Sequence, residues 1–500
     1  MTEPGGVDPD EPTAVLIELN VLYPGGLSAV THDFFELWGS DPSRVPGPAA
    51  AGPAAADPTQ PLVPAGLQRV TAKLYQCMLS RRELQRLVES DRHDAQSAER
   101  PPVVFKVWPD YVLYAQIDRS APTVKADAAW RSYNARGHGI VWAVIDSGID
   151  GSHPHFSSLE LAAEAGAAPG AAAGLHRDFT ALVKLTGDPP PDPPAPLTDQ
   201  QGHGTHVAGI IAGETPAGQK PYVATSDEPP AGGGFVQRSR VDILSGMAPA
   251  CELVSLKVLR RNAQGVYITS SAAVIAALEY LRTEVNVDPS VLRVHGVNIS
   301  LGCPWDPTHY AAGQSPLSQA VNQLVDAGVV VVVSAGNGGG GQAQDPSGAM
   351  ALLGSVTEPA HAENCIAVGS THREAPHAFG VSWTSGKGPT LDGRMKPDVV
   401  APGEWITSAA TGALRSRAGL DTLPADDANR LLTYAEQSGT SMAAPHVSGV
   451  IAAFLSARPE FIGRPRNVKQ QLADSATDLG RERYAQGAGV VDLMRMLANA

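Results

Sequence analysis

Long apolar runs are missing from this sequence. The longest, such as Val329 to Val333, fall far short of the ~20 residues a membrane-spanning helix needs, so no membrane insertion is expected. A secretory signal is missing too. The start, Met1-Thr2-Glu3-Pro4-Gly5-Gly6-Val7-Asp8, is acidic where a signal is positive and then apolar. The expectation is a soluble, cytoplasmic protein, with export by another route as the alternative. Cysteine is scarce: Cys77, Cys251, Cys303 and Cys365 are scattered without a C-x-x-C pair, which leaves neither a zinc knuckle nor a disulfide framework and reads as free thiols. Basic runs are also lacking, since Arg81-Arg82 and Arg260-Arg261 are isolated pairs of the kind that lie on solvated faces. With 37 basic against 51 acidic side chains the formal charge is −14, which repels phosphate backbones and excludes nucleic acid as an expected partner.

What is present is 500 residues, enough for a sizeable core with insertions. Residues 1–120 read as a small α+β region. Ala14 to Asn20 reads as a strand, Ser80-Arg81-Arg82-Glu83 as a capping box opening a helix with Leu84, Leu87 and Val88 on one face, and Val103 to Gln116 as one or two strands around the Pro109-Asp110 turn. An Ala/Pro-rich segment at 42–66 interrupts this region and reads as a linker.

From about Val124 onward, apolar runs alternate with helical periodicity, which predicts a parallel sheet with crossover helices. Candidate strands are Ile140 to Ile145, Leu253 to Leu259, Gly296 to Leu301 and the five valines Val329 to Val333. Ser270 or Ser271 caps a helix with Val274, Ala277, Leu278 and Leu281 on its buried face. Ser315-Pro316 opens another, with Leu317, Val321, Leu324 and Val325 inward and Gly328 as its left-handed stop. The unit spans 121–500, with surface insertions near 157–200, 214–245, 338–357 and 408–435.

Three segments place chemically useful side chains at strand ends or helix starts, where ligands of open α/β sheets collect. They are Val144-Ile145-Asp146-Ser147-Gly148-Ile149-Asp150, Gly202-His203-Gly204-Thr205-His206-Val207-Ala208-Gly209, and Ser438-Gly439-Thr440-Ser441-Met442-Ala443-Ala444-Pro445-His446-Val447. A serine hydroxyl is a poor nucleophile at neutral pH. Acyl transfer needs an imidazole to take its proton and a carboxylate to fix the imidazole's tautomer, and these segments supply one of each. Asp150 and His206 are the competing catalytic candidates beside them. His203 and His206 are three apart around Gly204-Thr205, whereas a metalloprotease helix spaces its histidines four apart around a Glu, so a zinc pair is not read there. His446 reads as a packed helix residue. Cys303 either lines a cleft or is a buried, inert thiol.

In the order Asp, His, Ser, the three segments resemble the subtilisin-like serine peptidases, a family whose triad order is a standard example of convergent catalysis. The resemblance runs from about Val124 to Val491 and includes Gly246-Met247-Ala248-Pro249, Leu256-Lys257-Val258-Leu259, Ser300-Leu301-Gly302, Ser334-Ala335-Gly336-Asn337 and Lys396-Pro397-Asp398-Val399-Val400-Ala401-Pro402-Gly403. It implies a three-layer α/β fold with a mainly parallel sheet, and a serine endopeptidase acting on protein or peptide substrates. It also implies Asp146 as orienter, His203 as base, Ser441 as nucleophile and Asn337 as the side-chain donor of the oxyanion hole. Ser300, Leu301 and Gly302 would form one substrate edge and the stretch near Ala263-Gln264-Gly265 the other, with Ala335 and Gly336 beside them.

The sequence departs from the family in three places. His155 stands where the family often has a calcium-binding carboxylate, and the loop after Gly213 is replaced by a long insertion reaching Leu244. No metal is therefore expected, and calcium is left without an identifiable site. Gly338 to Gly341 replaces charged residues after Asn337, which points to a broad or apolar preference before the scissile bond. Residues 1–120 would serve as an inhibitory propeptide with its final strand over Val104 to Gln116, cut between Ala115 and Val124, which makes the chain a zymogen. A permanent regulatory or partner-binding domain is the rival reading. For the whole chain, the alternatives are a catalytically silent binding scaffold and an esterase or acyltransferase using the same triad.

Overall fold

The computed structural model describes residues 12–40, 63–98, 100–109, 112–115, 122–159, 161, 171–184, 195–226, 235–240, 244–288, 290–304, 308, 310–342, 349–424, 426–427 and 429–500. The first elements are β1 (Thr13–Leu19), α1 (Gly26–Gly39), β2 (Leu67–Thr71), β3 (Leu74–Leu79), α2 (Arg81–Ser97), β4 (Val104–Pro109) and β5 (Val112–Ala115). The first four strands form an antiparallel sheet in the order β2-β3-β1-β4. Along β1 the side chains alternate between two faces. Val15, Ile17 and Leu19 pack with Phe34 and Trp38 of α1 and Leu87 of α2, whereas Leu16, with Val70, Leu74 and Trp108, joins the core of the larger unit.

The capping box at Ser80 forms as expected: Ser80 Oγ accepts from Glu83 N at 3.3 Å and Glu83 Oε2 accepts from Ser80 N at 2.7 Å. The β2–β3 hairpin was not legible, because its turn at Ala72-Lys73 has no Gly, Asn or Pro. Thr71 Oγ1 closes it by accepting from Lys73 N at 3.3 Å. Of the 42–66 linker, residues 42–62 lie outside the described residues, as do Gln116 and most of the expected cut region.

The larger unit contains α3 (Ala126–Tyr133), β6 (Val141–Asp146), β7 (Arg177–Asp178), α4 (His203–Ile211), β8 (Tyr222–Ser226), β9 (Phe235–Arg240), β10 (Glu252–Lys257), β11 (Arg260–Arg261), β12 (Tyr267–Ser270) and α5 (Ser271–Tyr280). It continues with β13 (Gly296–Ile299), β14 (Leu301–Gly302), α6 (Pro316–Asp326), β15 (Val330–Ser334), β16 (Gly340–Gln342), β17 (Ala349–Ala351), β18 (Ile366–Thr371), α7 (Pro376–Phe379), β19 (Val399–Pro402), β20 (Ile406–Ala409), α8 (Gly412–Arg417), β21 (Thr433–Gln437) and α9 (Thr440–Ala457).

Seven strands form a parallel sheet in the order β19-β18-β15-β13-β6-β10-β7. Both of its faces are covered, which is why its strands read as continuous apolar runs. Trp142, Val144, Val330 and Val332 pack against Val447, Val450 and Ile451 of α9 on one face. Val141, Ala143, Ile145, Val331 and Val333 pack against Leu278 of α5 and Leu317, Val321 and Leu324 of α6 on the other. The result is the three-layer α/β architecture expected. Helix α9 is long and apolar enough by composition to cross a bilayer, but 89% of its apolar window is buried inside the fold, so it is a core helix. Its scattered Ser, His and Gly residues had hidden that length in the sequence.

The caps at Ser270 and Ser315, Pro316 in the first turn of α6, and a left-handed Gly328 (φ 98°) are all present. The expected strand over Gly296 to Leu301 instead breaks at Ser300: β13 stays in the main sheet, while β14 joins a second sheet in the order β11-β12-β5-β14. The 214–245 insertion contains β8 and β9, which extend β20 and β21 into a further four-stranded sheet.

One glycine in the main sheet has a packing reason. A Cβ at Gly296 would lie 2.2 Å from Cη2 of the fully buried Trp142. Gly296→Ala is expected to lower stability by roughly 1–3 kcal/mol, read as an earlier midpoint in urea unfolding; an unchanged midpoint would mean that the ring has room to move.

Candidate active site

Asp146 ends β6 and His203 begins α4, so the carboxyl edge of the sheet faces the mouth of a helix. His203 Nδ1 lies 2.7 Å from Asp146 Oδ1, with both side chains buried. A carboxylate only accepts, so Nδ1 carries the proton and the ring is oriented with Nε2 as its basic nitrogen. Asp146 Oδ1 also accepts from Ser147 N at 2.8 Å.

The close approach of β6 and α4 depends on small residues. A Cβ at Gly204 would sit 2.2 Å from Gly148 O and 3.0 Å from Asp146 Cβ. In its absence, Gly204 N donates to Ser147 Oγ at 2.8 Å. Asp199, which the sequence reading did not single out, organises the turn before His203. Its carboxylate accepts from Gln201 N at 3.1 Å, Gly202 N at 2.8 Å, Thr205 N at 2.9 Å and Thr205 Oγ1 at 2.7 Å. Burial nonetheless pushes its carboxyl above the usual range. An Asp just ahead of a Gly-His helix start was the available signal.

Ser441 lies in the first turn of α9 behind Gly439 (φ 150°), where the first backbone N–H groups lack intrahelical partners. The serine is joined to the break after β13. Its Oγ donates to Ser300 O at 3.1 Å, and Ser300 Oγ donates to Ser441 O at 2.8 Å. Asn298 Nδ2 donates to Ser300 Oγ at 2.9 Å, and Asn298 Oδ1 accepts from Ser448 Oγ at 2.9 Å. Asn298 and Ser448 were therefore missed as supports, because their link joins residues 150 positions apart. No hydrogen bond joins Ser441 to His203 here.

Asn337 Oδ1 accepts from Thr440 N at 2.9 Å and from Thr440 Oγ1 at 3.1 Å. The backbone N–H can only donate, which fixes the carbonyl end of the amide and leaves Nδ2 as the donor end. Ala335 and Gly336 form the base of this loop. Ala335 N donates to Val368 O at 2.9 Å, and Gly336 (φ 98°) donates from N to Thr440 Oγ1 at 3.1 Å.

The two expected substrate edges resolve differently. Leu301 and Gly302, as β14, pair antiparallel with β5 in the register Leu301↔Ala115 and Gly302↔Tyr114. The other neighbour of β5 is β12, paired antiparallel through Thr269↔Leu113 and Ser270↔Val112. A strand of the N-terminal region thus lies between the two edges. On the second edge, Gly265 (φ 82°) sits in the β11–β12 turn, donating to Asn262 O at 3.0 Å, where Asn262 folds residues 262–266 back on themselves, and the pairing with β5 is made at Thr269 and Ser270.

The competing candidates are occupied elsewhere. Asp150 accepts from Thr411 Oγ1 at 2.7 Å and Ser152 Oγ at 2.6 Å. His446 packs inside α9, with Nδ1 2.7 Å from Met442 O. Cys303 is buried, and desolvation pushes its thiol up to about 12, the inert alternative. Three buried histidines hold successive residues of β21. His153 Nε2 lies 3.0 Å from Thr433 O, His155 Nδ1 2.8 Å from Tyr434 Oη, and His206 Nε2 3.0 Å from Ala435 O.

His155 also bears on the calcium question. Its Nε2 lies 3.2 Å from Gly209 O and 3.1 Å from Ala212 O. A closed-in imidazole donating to carbonyls does not fit a cation that takes six to eight oxygens.

The profile of the subtilase family matches residues 137–490. Subtilisin E of Bacillus subtilis (strain 168) is 29% identical over 406 residues, 81% of this chain and 78% of its own. M-protease of Shouchella clausii (strain KSM-K16) is 27% identical over 410 residues, 81% and 77% of the two chains. Subtilisin Savinase of Lederbergia lenta is 27% identical over 370 residues, 74% and 94%. These matches overturn the cytoplasmic placement expected from the acidic start, because subtilisins are secreted, extracellular proteases.

The three histidines on β21 make an acid-stability prediction. Desolvation is the main cause that lowers them, from 6.5 to about 4 for His153 and about 3 for His155 and His206. In the unfolded chain they take up protons near pH 6.5, whereas the folded chain keeps them neutral. Their stabilisation is therefore complete above that pH and is lost as pH falls toward 4. The melting temperature is expected to drop by at least about 10 °C between pH 7 and pH 4, and less steeply in His155→Gln. A melting temperature flat across that range would contradict this.

Proposed function

The chain belongs to the subtilase family of serine peptidases, and from that premise we propose that it is an endopeptidase that cuts protein or peptide substrates through an acyl-enzyme on Ser441. The observation that carries the reading is the buried His203–Asp146 contact at 2.7 Å, made at the sheet edge from which α9 presents Ser441. In the reaction, Ser441 Oγ turns from Ser300 O to His203 and gives Nε2 its proton as it attacks the carbonyl carbon. Asp146 holds the resulting imidazolium. The new oxyanion takes hydrogen bonds from Asn337 Nδ2 and the Ser441 backbone N–H. His203 then returns the proton to the leaving amine, and water repeats the sequence on the acyl-enzyme. No step needs a metal.

The N-terminal region is proposed to block this site until it is cut. Its support is the position of β5, which pairs antiparallel with both β14 and β12 and so occupies the place where a substrate strand would add. The four apolar residues Leu16, Val70, Leu74 and Trp108 seat the rest of that region on the peptidase core.

A fluorophosphonate probe with mass mapping tests both parts. Wild type is expected to take the label at Ser441 after losing its N-terminal region up to a point between Ala115 and Val124, while Ser441→Ala stays full length and unlabelled. A folded wild type that takes no label even after trypsin removes the N-terminal region would end the nucleophile reading. Labelling of Ser441 in a chain that has kept its whole N-terminal region would end the blocking reading. Asn337→Ala is expected to slow peptide turnover by about 10²–10³, a magnitude taken from a relative in this same family rather than from this chain. EDTA is expected to change turnover by less than about twofold.

A further inference from the structure

The loop that carries Asn337 has no side chains of its own with which to hold itself, because residues 338–341 are all glycine. Glycine backbone is the least restricted, yet an oxyanion donor works only if it is fixed before the charge develops. The restraint comes from residues 383–387. Gly386 N donates to Gly336 O at 2.6 Å and Gly339 N donates to Thr384 O at 2.9 Å, which brackets Asn337 on both sides. Between them, Lys387 Nζ donates to Gly339 O at 3.0 Å, Trp383 O at 2.9 Å and Ser385 O at 3.0 Å. All three ammonium donors are used, and all on backbone carbonyls.

Lys387 is 8% exposed, and desolvation holds it below the ordinary lysine range. Among the described residues no carboxylate pairs with it, whereas the buried Lys396 reaches Asp398 at 2.8 Å. A buried cation without a counter-ion is costly and persists where the surrounding structure demands it. Here the demand is visible: the ammonium ties the glycine turn after Asn337 to the neighbouring loop. Gly339 is its necessary complement, since a Cβ there would lie 1.7 Å from Ser385 O and 2.7 Å from Lys387 Nζ.

We propose that Lys387 is a positioning residue for catalysis, which holds the Gly338-Gly339 turn so that Asn337 stays against Thr440 with its Nδ2 available to the oxyanion. The proposal rests on the roles given above to Asn337 and Ser441. It acts through Asn337, so its loss should cost rate rather than substrate binding, and should cost nothing more once Asn337 is gone.

The test is a double-mutant cycle on the processed enzyme, with trypsin used to remove the N-terminal region where self-cleavage is lost. Lys387→Met is expected to lower kcat on a peptide substrate roughly 10–100-fold with KM changed by less than about twofold. Fluorophosphonate labelling of Ser441 should persist, more slowly. The Asn337→Ala, Lys387→Met double variant should be within about threefold of Asn337→Ala alone. Should Lys387→Met not fold, Gly339→Ala breaks the same clamp from the other side and enters the same cycle. Full kcat in either variant overturns the proposal, and so does a double variant whose losses multiply, because that is what general damage to the fold would give. A wild type that takes no label at Ser441 would instead remove the catalytic reading beneath it, an outcome the labelling step reports separately.

Discussion

Asp146 is a carboxylate taken wholly out of water, and its side-chain partner is His203 at 2.7 Å. Such a group is tolerable only if its partner is held in place, and much of the surrounding structure serves that end. The parallel sheet fixes β6, and with it the position of the carboxylate. Gly204 lets α4 approach to a distance that any side chain would prevent. Asp199 gathers three backbone N–H groups of the turn that leads into the helix, and Ser147 fastens the helix start to the strand end. The serine arrives by a separate route, through the reciprocal pair of hydrogen bonds between Ser300 and Ser441. The site is therefore assembled along two routes, the strand end and helix start joined through Asp146, Ser147 and His203, and the serine held at the end of β13.

The second tie between those pieces is the strand β21, which leads directly into the Ser441 turn. His153 and His155 follow Asp146 in the chain and His206 follows His203, and the three grip β21 at consecutive residues. Each brings one ring nitrogen within reach of a main-chain carbonyl. His155 Nδ1 receives Tyr434 Oη, and His153 Nδ1 receives His155 N at 3.2 Å. A second proton on His153 would face a donor rather than an acceptor, so for that ring neutrality is built into the geometry as well as into the burial.

Much of this was legible from residue order alone. The segments around Asp146, His203 and Ser441 are local, and their strand-end and helix-start positions follow from apolar runs and glycines. Ser80, Ser270 and Ser315 announce their helices by cap chemistry that acts over three residues. What could not be read depends on distant pairing or on backbone. The break of the 296–301 strand at Ser300 is visible only when β5, from 186 positions away by the Ala115–Leu301 pairing, lies beside it. The clamp on Gly339 is made of carbonyl oxygens, which every residue has, so no motif marks them. The turn that Asn262 makes ahead of the β12 pairing with β5 rests on its side-chain oxygen accepting from Val266 N, a contact that the residue order does not announce.

Helix α9 has a consequence for how the molecule is made. It covers one face of the main sheet with Val447, Val450 and Ile451, and it carries Ser441 in its first turn. Ribosomes deliver the chain from its N-terminus, so β6, β13, β15, β18 and β19 all exist before the helix that shields them. Until residue 457 has emerged, that sheet face is wet and the nucleophile is absent or unplaced. Completion of the hydrophobic core and arrival of the reactive hydroxyl are thus one event in synthesis, and a chain that ends before Thr440 lacks both the cover for that sheet face and the nucleophile.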